Sequence, residues 1–403
     1  MTRLAIIVRL ALANSASNTI GGIYTPFFSA WLLWRGFHPA EIGALLSLGM
    51  VIRVLTSPMS GIVADARNDR RSTMIALYGV MLLCYSALLV ITAPLAIFAL
   101  VVVGAIAGGA ASPLLESVTL RMSERWKFSY GPVWAWGSAT FVACNVVAGV
   151  AISTFGMTVM IPWLVVSLAF NIFAIWILPA PPTDRPRHDF RVGLHTTMAQ
   201  ARELLRSRTF LLFLIAAGLD QGSHAVYYNF GAPNWLRLGY PGWMIGVLWP
   251  LGVVIEVALL AFSMRVYNTF GATKLLILGC ASCVLRWTIM AFDPPLSMVV
   301  FAQLLHGGTF ALAHLGAMYF ILAAVPPRLA ATAQSLYAVG TGGIFMGLAT
   351  FAAGPLYAAY HGRVYLMMSA MALVGLAFAF LLQRAWHGGR LTTHPEEEDH
   401  GFI

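Results

Sequence analysis

The chain has 403 residues, of which 59% are hydrophobic and 10% are charged, and its mean hydropathy is +0.80. These values exclude a soluble globular protein and indicate an integral membrane protein. The net charge of +9 comes from basic residues in the polar segments between apolar runs, so nucleic acid is not an expected partner.

Runs of about 20 mostly apolar residues, the length that a membrane-spanning helix needs, recur along the whole chain. They predict an all-α integral membrane protein whose twelve transmembrane helices form two six-helix bundles. The predicted helices cover residues 5–33, 40–64, 72–92, 96–121, 130–154, 158–179, 209–236, 241–266, 272–291, 296–323, 330–356 and 363–384. The first run lacks the small-residue cleavage site of a signal peptide, so we expect it to be retained.

Polar segments predict the boundaries of the domains. We expect an N-terminal bundle over 1–179, a cytoplasmic linker over 180–208, a C-terminal bundle over 209–390 and an acidic disordered tail over 391–403. Most Arg and Lys residues fall in the termini, the linker and the loops on the same side, whereas the opposite loops carry Arg35, Arg237 and Arg363. Because short basic loops stay in the cytoplasm, both termini are predicted to be cytoplasmic, in a multi-pass protein of the cell inner membrane.

An internal duplication relates the two halves. Residues 48–55 read Leu-Gly-Met-Val-Ile-Arg-Val-Leu, and residues 251–258 read Leu-Gly-Val-Val-Ile-Glu-Val-Ala, so that Arg53 is replaced by Glu256. Gly36 and Gly239 follow the same offset. Parallel repeats are typical of secondary transporters, which bind solute between the halves. The duplication therefore predicts a transporter of a small-molecule substrate.

Several charged side chains lie within the apolar runs. An Arg, Lys or Asp at a helix centre costs about 2.5–3.5 kcal/mol, so such residues face the protein interior and have partners. These residues are Arg53, Glu116, Asp220, Glu256 and Arg286, with His224, His306 and His314 also inside predicted helices. We expect them to line a shared cavity. Each His could instead be a packed hydrogen-bonding residue, and Glu116 could pair only with Arg121.

Helical spacing groups some of these side chains. Asp220, His224 and Tyr228 fall at i, i+4 and i+8, on one face of the predicted seventh helix. The tenth helix repeats the pattern with His306, Phe310 and His314. The four cysteines also fall inside helices, where we expect them to pack as small apolar residues. No metal or other cofactor is expected.

The segment between the second and third predicted helices reads Gly61-Ile-Val-Ala-Asp65-Ala-Arg67-Asn-Asp69-Arg70-Arg71. It resembles the cytoplasmic signature of the major facilitator superfamily, in which Gly-x-x-x-Asp is followed by a glycine and paired basic residues. Asp69 departs from that pattern because it stands where the glycine usually lies. The resemblance implies a cytoplasmic gate formed by Gly61, Asp65, Arg67, Arg70 and Arg71, whereas a charged tight turn is the alternative.

The second half contains four informative motifs, which are Gln221-Gly-Ser-His224-Ala-Val-Tyr227-Tyr228, Gly252-Val-Val-Ile-Glu256-Val, Arg286-Trp287 and Leu305-His306-Gly-Gly-Thr309-Phe310. In this order they are similar to the phenylpropionate permease family, which is related to oligosaccharide:proton symporters such as lactose permease. The resemblance implies proton-coupled uptake, with Glu256 and Arg286 as the leading pair. His306, His314, Asp220 and His224 complete the implied coupling network.

The start of the fifth predicted helix bears on the substrate. Relatives commonly have basic residues at the positions of Pro132 and Trp134, and in the sugar symporters the Arg matching Trp134 is a principal sugar ligand. Its replacement argues against a sugar and favours an aromatic carboxylate, which Arg53 or Arg286 would bind. The remaining candidate substrate-binding residues are Glu116, Trp134, Phe141 and Tyr228.

Three other functions compete with this prediction. A proton-driven exporter of drugs or metabolites would share the fold, although many such exporters concentrate essential carboxylates in the first half. A proton symporter of a neutral solute, such as a nucleoside or sugar, is the second alternative. An integral-membrane enzyme is disfavoured because no H-E-x-x-H, G-x-S-x-G or nucleotide-binding motif occurs. We expect the substrate, protons and lipid to be the partners of a functional monomer.

Overall fold

The computed structural model describes residues 2–67, 69–179 and 190–391, with side chains described at all of these positions except 55, 57–63, 65–67, 190–196 and 261. Residues 180–189 of the predicted linker and residues 392–403 of the predicted tail lie outside this range. Within it the chain is helical and contains no β-strand.

The helices follow the apolar runs closely. In the described residues they are α1 Arg3–Trp34, α2 Pro39–Arg67, α3 Arg70–Ala87, α4 Pro94–Arg125, α5 Tyr130–Phe155, α6 Met160–Trp176, α7 Phe190–Arg206, α8 Arg208–Gly222, α9 Ala225–Arg237, α10 Gly242–Ala261, α11 Ser263–Phe270, α12 Ala272–Met290, α13 Leu296–Leu304, α14 Ala313–Ala324, α15 Ala330–Ala338, α16 Met346–Tyr360 and α17 Tyr365–Ala385. Two π-helical turns, Gly307–Leu312 and Val339–Phe345, join α13 to α14 and α15 to α16.

Many of these helices have the length and apolarity of membrane spans. Among the described residues, nine helical stretches are long and apolar enough to cross a membrane. The last stretch, Pro327–Ala385, has 59 residues and contains the final two predicted spans. The all-helical, multi-pass membrane architecture is therefore confirmed, whereas the count of twelve helices remains a prediction.

The chain divides into two compact units. The first contains Met1–Arg187, Ala225–Leu251 and Gly347–Val364, and the second contains His188–His224, Gly252–Met346 and Tyr365–Ile403. In the first unit, α1 packs against α5, α6 and α9, while α4 packs against α2 and α3. In the second unit, α12 and α17 pack against each other, with α8 and α14 alongside.

Glycines bring α5 and α10 into backbone contact within the first unit. A Cβ atom on Gly246 would lie 2.4 Å from the backbone oxygen of Asn145, and one on Gly149 would lie 2.4 Å from that of Gly242. A side chain at either position would force the helices apart, as is usual for small residues at helix interfaces in membranes. In the same unit, a Cβ atom on Gly43 of α2 would lie 2.9 Å from the Cα atom of Gly354 on α16.

The predicted seventh helix is interrupted at Ser223 and His224, between α8 and α9. The Ser223 hydroxyl donates to the backbone oxygen of Asp220 at 2.6 Å, and Nδ1 of the His224 ring lies 3.1 Å from the same oxygen. Such local side-chain bonds compete with the helical hydrogen-bond ladder for its acceptors. The break gives the side chains that follow Asp220 positions that a regular helix would not provide.

Helix α7, which lies in the second unit, is held by contacts to residues 328–332. Arg328 forms a two-pronged ion pair with Glu203, with N–O distances of 2.9 and 2.6 Å. Thr332 donates a hydrogen bond to the side chain of Gln200 at 2.7 Å. These exposed contacts fix the amphipathic helix that precedes α8.

Candidate functional site

A cluster of polar side chains is buried in the second unit. Asp220 lies in the last turn of α8 and Arg286 on α12, while His306 lies just before the π-helical turn Gly307–Leu312 and Thr309 lies within it. The fully buried members are Asp220, His224, Arg286, Gln303 and Thr309, and His306 is 5% exposed. Because isolated buried charges are strongly disfavoured, the hydrogen bonds among these groups determine what the cluster can do.

Arg286 donates hydrogen bonds to three side chains of the cluster. Its Nη1 lies 2.8 Å from Nδ1 of His306 and 3.1 Å from Oγ1 of Thr309, and its Nη2 lies 3.1 Å from Oε1 of Gln303. A guanidinium group has donors only, so Nδ1 of His306 must accept. The neutral ring therefore carries its proton on Nε2.

The Nε2 atom of His306 faces Glu256. It lies 3.6 Å from Oε2 of this carboxylate, whose side chain is 16% exposed. This distance is longer than a hydrogen bond. His306 thus lies between Arg286 and Glu256, with one ring nitrogen directed at each. The neutral ring that Arg286 orients presents its Nε2–H to Glu256.

The Thr309 hydroxyl connects Arg286 to His224. It accepts from Arg286, and its own proton has two possible acceptors: Nε2 of His224 at 3.1 Å and the backbone oxygen of His306 at 3.2 Å. When it points to His224, the neutral ring accepts on Nε2 and donates through Nδ1 to the backbone oxygen of Asp220, so both ring nitrogens have partners. In that arrangement Thr309 links Arg286 to a neutral His224.

Aromatic rings enclose the cluster. The guanidinium carbon of Arg286 lies 4.6 Å from the ring centre of Trp287, and the ring of His224 meets Trp287 edge-on at 5.1 Å. The Nε1 atom of Trp287 donates to Ser223 at 2.9 Å. These contacts hold a cation against the face of an indole, as cation–π attraction favours.

The three predicted side chains of the tenth span form a ring stack. The centroids of His306 and Phe310 are 5.7 Å apart, and those of Phe310 and His314 are 6.0 Å apart, with nearly parallel planes in the second pair. The wide turn Gly307–Leu312 carries Phe310. His314 is thereby placed next to the cluster through an aromatic spacer and not through a hydrogen bond.

Three side chains of the cluster offer metal-ligand atoms. Atoms of Asp220, His224 and Cys283 all lie within 4.8 Å of one another. Each has a protein partner, since Cys283 Sγ lies 3.5 Å from Asp220 Oδ1 and His224 bonds to Thr309. The set supplies three donors, the number of protein ligands in a catalytic zinc site and one fewer than in a closed structural site.

The candidate substrate-binding residues other than Arg286 lie in the first unit. Arg53 is exposed, and its stem lies across Gly109 of α4, where a Cβ atom would be 2.7 Å from its Cγ. Glu116 is exposed and Trp134 is 42% exposed. The other two, Phe141 and Tyr228, are half-buried.

The side chains of Gly61, Asp65 and Arg67, which the gate motif includes, lie outside the described residues. Of the remaining two, Arg70 is buried and donates to the hydroxyl of Ser117 on α4. Arg71 donates to the backbone oxygen of Leu178, after the end of α6, at 3.0 Å. The basic pair therefore ties the start of α3 to two other helices of the first unit.

The structure explains why an aspartate stands in the glycine position of the motif. Asp69 is the N-cap of α3, and its Oδ1 accepts from the backbone N–H of Ser72 at 2.9 Å. Its φ of −142° needs no glycine. Hydrogen bonds from Ser72 lower the pKa of Asp69, so the cap is fully effective at higher pH and weakens as pH falls through that lowered pKa.

Replacement of Asp69 tests this cap. We expect Asp69→Ala to lower stability by about 1 kcal/mol because the first turn of α3 loses an acceptor, whereas Asp69→Asn should stay close to the native protein. Thermal unfolding in detergent at neutral pH measures both variants. Equal melting temperatures for Asp69→Ala and Asp69→Asn would refute the role of the cap.

Sequence reasoning did not assign roles to Gln303, Thr309 or Cys283, although all three touch the charged cluster. Gln303, His306 and Thr309 recur every three residues, which would have placed them near one helix face. This spacing was the available signal. Cys283 could be read from sequence only as a small apolar residue, because its contact with Asp220 depends on how α12 packs against α8.

Comparison with known proteins agrees with this architecture. A family model described as the MFS_1 like family matches residues 18–368. The chain is 30% identical over 356 residues to a probable 3-phenylpropionic acid transporter of Escherichia coli (strain K12), covering 87% of this chain and 91% of the relative. It is 26% identical over 374 residues to a maltose permease of Geobacillus stearothermophilus, covering 90% and 91%.

A solved structure shares the fold. The crystal structure of the nucleoside transporter NupG superimposes with a TM-score of 0.79 at 16% identity, covering 94% of this chain and 98% of that chain. At this identity the likeness concerns the fold alone.

Proposed function

The chain belongs to the MFS_1 like family and is a multi-pass membrane transporter, not an enzyme, and we propose that it takes up a small aromatic carboxylate together with protons. In this proposal, twelve transmembrane helices form two six-helix bundles, over residues 1–179 and 209–390. The protein is a functional monomer in the cell inner membrane, with both termini in the cytoplasm.

The observation that carries proton coupling is the position of His306 between Arg286 and Glu256. A protonated Glu256 is neutral and leaves Arg286 hydrogen-bonded to the neutral side chains of His306, Thr309 and Gln303. When Glu256 loses its proton, the new negative charge lies beside the Nε2–H of a ring that Arg286 orients, so His306 couples the charge of Glu256 to Arg286. Coupling of this kind lets the charge of one carboxyl favour one conformation of the carrier over another.

Burial separates the roles of the two arginines. Arg286 is fully buried and hydrogen-bonded within the cluster, which favours a role in coupling. Arg53 is exposed, and a charged side chain in a membrane-spanning helix faces a water-filled cavity in preference to lipid. We therefore assign carboxylate binding to Arg53, whose planar guanidinium can bind both carboxylate oxygens.

We assign the binding of the apolar part of the solute to the aromatic residues of the first unit. Trp134 replaces the basic residue that sugar symporters use, and the 30% identical relative is described as a probable 3-phenylpropionic acid transporter. Stacking on an aromatic side chain adds about 0.5–1.5 kcal/mol beyond burial. An aromatic solute should therefore be favoured over an aliphatic one of similar size.

A neutral solute is the second candidate. The 26% identical relative is described as a maltose permease, and a sugar would be bound by hydrogen bonds without a need for Arg53. The absence of a basic side chain at Pro132 and Trp134 disfavours this candidate. Export in place of uptake is also open to test, since it would use the same fold.

Transport by proteoliposomes under an imposed pH gradient tests the substrate. We expect 3-phenylpropionate to be accumulated, and 3-phenylpropanol, which lacks the charge, not to be. Arg53→Lys keeps the charge but loses the two-pronged geometry, so the half-saturation concentration should rise roughly tenfold or more. Trp134→Ala should lower the affinity for 3-phenylpropionate more than the affinity for 3-cyclohexylpropionate, by about threefold to tenfold.

The matched control for Arg53→Lys is Arg328→Lys, because Arg328 forms an exposed ion pair with Glu203 and is not a candidate site residue. Uptake by this variant should be unchanged. Native affinity for 3-phenylpropionate in both Arg53→Lys and Trp134→Ala would remove the carboxylate from the proposal and leave a neutral solute. Outward pumping of the same compounds would indicate an exporter.

A further inference from the structure

The first unit contains a cavity of about 580 Å³, lined by the end of α1, the start of α2, the end of α9 and the end of α16. We call it the α1/α9 cavity. Its volume lies within the range of about 300–1,000 Å³ that is usual for small-molecule sites. None of the candidate proton-coupling or substrate-binding residues lines it, so it is separate from the site described above.

The polar lining of the α1/α9 cavity is basic. Arg237, His38 and His361 line it, and its described lining contains no carboxylate. Glu41 lies nearby, but its carboxylate accepts a hydrogen bond from the backbone N–H of His38 at 2.8 Å. Arg237 is one of the few basic residues predicted on the side opposite the termini, where positive charge is normally sparse. Such a lining favours an anionic ligand.

The hydrogen bonds of these residues orient their donors. Nε of Arg237 donates to Oδ1 of Asn234 at 3.1 Å, which fixes the guanidinium on the last turn of α9. Nδ1 of His38 accepts from the backbone N–H of Ala40 at 3.3 Å, so the neutral ring carries its proton on Nε2. His361 has a φ of 48°, an uncommon conformation that the surrounding structure must hold.

The remaining lining is aromatic and apolar. Trp34 is 53% exposed, and Tyr357 is buried with its ring edge-on to His361 at a centroid distance of 5.8 Å. Leu33 and Pro233 complete an apolar wall beside the cationic groups. A ligand that fits both parts has one anionic group and a compact apolar body.

We propose that the α1/α9 cavity is a second binding site for an aromatic carboxylate, which it captures before the solute reaches the transport site. The identity of the ligand rests on the proposed function. A carboxylate would be bound by Arg237 with His38 or His361, while its ring packs on Trp34. Because capture precedes transport, loss of this site raises the concentration needed for uptake and leaves the maximal rate unchanged.

The ¹⁹F resonance of Trp34 tests occupancy directly. The full chain, labelled with 5-fluorotryptophan, is placed in phosphatidylcholine nanodiscs, and Trp34→Phe identifies the resonance. We expect it to shift saturably with 3-phenylpropionate and not with 3-phenylpropanol. In Arg237→Gln the affinity should fall about tenfold, whereas Arg363→Gln, an exposed basic residue predicted on the same side, should behave as the native protein.

Two outcomes would overturn the second site, and a third would overturn only the proposed function. If the Trp34 resonance did not shift with 3-phenylpropionate while proteoliposomes took this compound up, the protein would be a transporter without this second site. A shift caused by phosphatidylglycerol nanodiscs alone would assign the cavity to lipid headgroups. A Trp34 response in a protein that does not transport 3-phenylpropionate would retain the site and reject the proposed function, so the two failures are distinguishable.

Kinetics supply the second readout. Arg237→Gln should raise the half-saturation concentration for uptake of 3-phenylpropionate severalfold at an unchanged maximal rate. A variant that misfolds would instead lower the maximal rate and the yield of monodisperse protein. An unchanged half-saturation concentration in folded Arg237→Gln would contradict capture before transport.

Discussion

Proteoliposomes that contain the Glu256→Gln variant are expected to exchange solute across the membrane but not to accumulate it uphill under a pH gradient. The amide imitates a permanently protonated carboxyl group, so the carrier can change conformation with solute bound but cannot release a proton. His306 would keep its bond from Arg286 and lose the carboxylate that its Nε2 faces. Counterflow and uphill uptake, measured on the same preparation, separate the two activities.

The control for this experiment is Glu203→Gln, which removes a carboxylate that pairs with Arg328 on the surface. We expect that variant to accumulate solute normally. Glu256→Asp keeps a titratable group and should retain part of the uphill activity. If Glu256→Gln lost exchange and accumulation to the same extent, Glu256 would have a packing or substrate-binding role and would not carry the proton.

Gly246→Ala is expected to separate α5 from α10. Its added methyl group would lie 2.4 Å from the backbone oxygen of Asn145, and backbone cannot move aside as a flexible side chain can. Overpacking of this kind costs about 1–3 kcal/mol, which would shift a conformational equilibrium roughly 5- to 150-fold away from the close approach. Spin labels at Thr154→Cys and Trp243→Cys, measured by pulsed electron paramagnetic resonance, report the separation.

Gly79→Ala is the matched control for this substitution. It lies inside α3, and a Cβ atom there would meet no other atom within 4 Å. It should leave the distance distribution between the two labels unchanged. Should Gly246→Ala give the same distribution as Gly79→Ala, the helices can accommodate the methyl group, and their contact would not control opening at this end of α5 and α10.

The length and apolarity of the chain were sufficient to predict helices and to place charged residues inside them. Asp220, Arg286 and His306 were singled out because charge is costly in lipid, and the structure places them in one cluster. The hydrogen-bond partners could not be predicted in this way. Thr309 and Gln303 are ordinary residues for a helix, and only the packing of α12 against the turn after α13 brings them to Arg286.

The sequence pattern also could not predict where the helices depart from regular α-helical geometry. Helical periodicity treats residues 209–236 and 296–323 as uninterrupted, yet Ser223 and His224 break the first span and a π-helical turn widens the second. Both departures depend on which groups bond to the backbone oxygens. The alternative hydrogen-bond patterns differ by only small free energies. Asp69 was recognised as a departure from a motif, but its role as the cap of α3 required the hydrogen bond to Ser72.

The π-helical turn Gly307–Leu312 determines the direction in which each side chain of α14 points around the helix axis. A regular helix advances about 100° per residue, and a π-helical turn accommodates one residue more than the α-helical turn that it replaces. If all the residues from His306 to His314 lay in a regular α-helix, His314 would be rotated by about 100° relative to His306 and would leave the ring stack. Deletion of a single glycine here would instead allow a regular α-helical turn that keeps the angle between the two histidines. The one extra residue of the π-helical turn therefore determines the angle at which the side chains of α14 lie relative to those of α13.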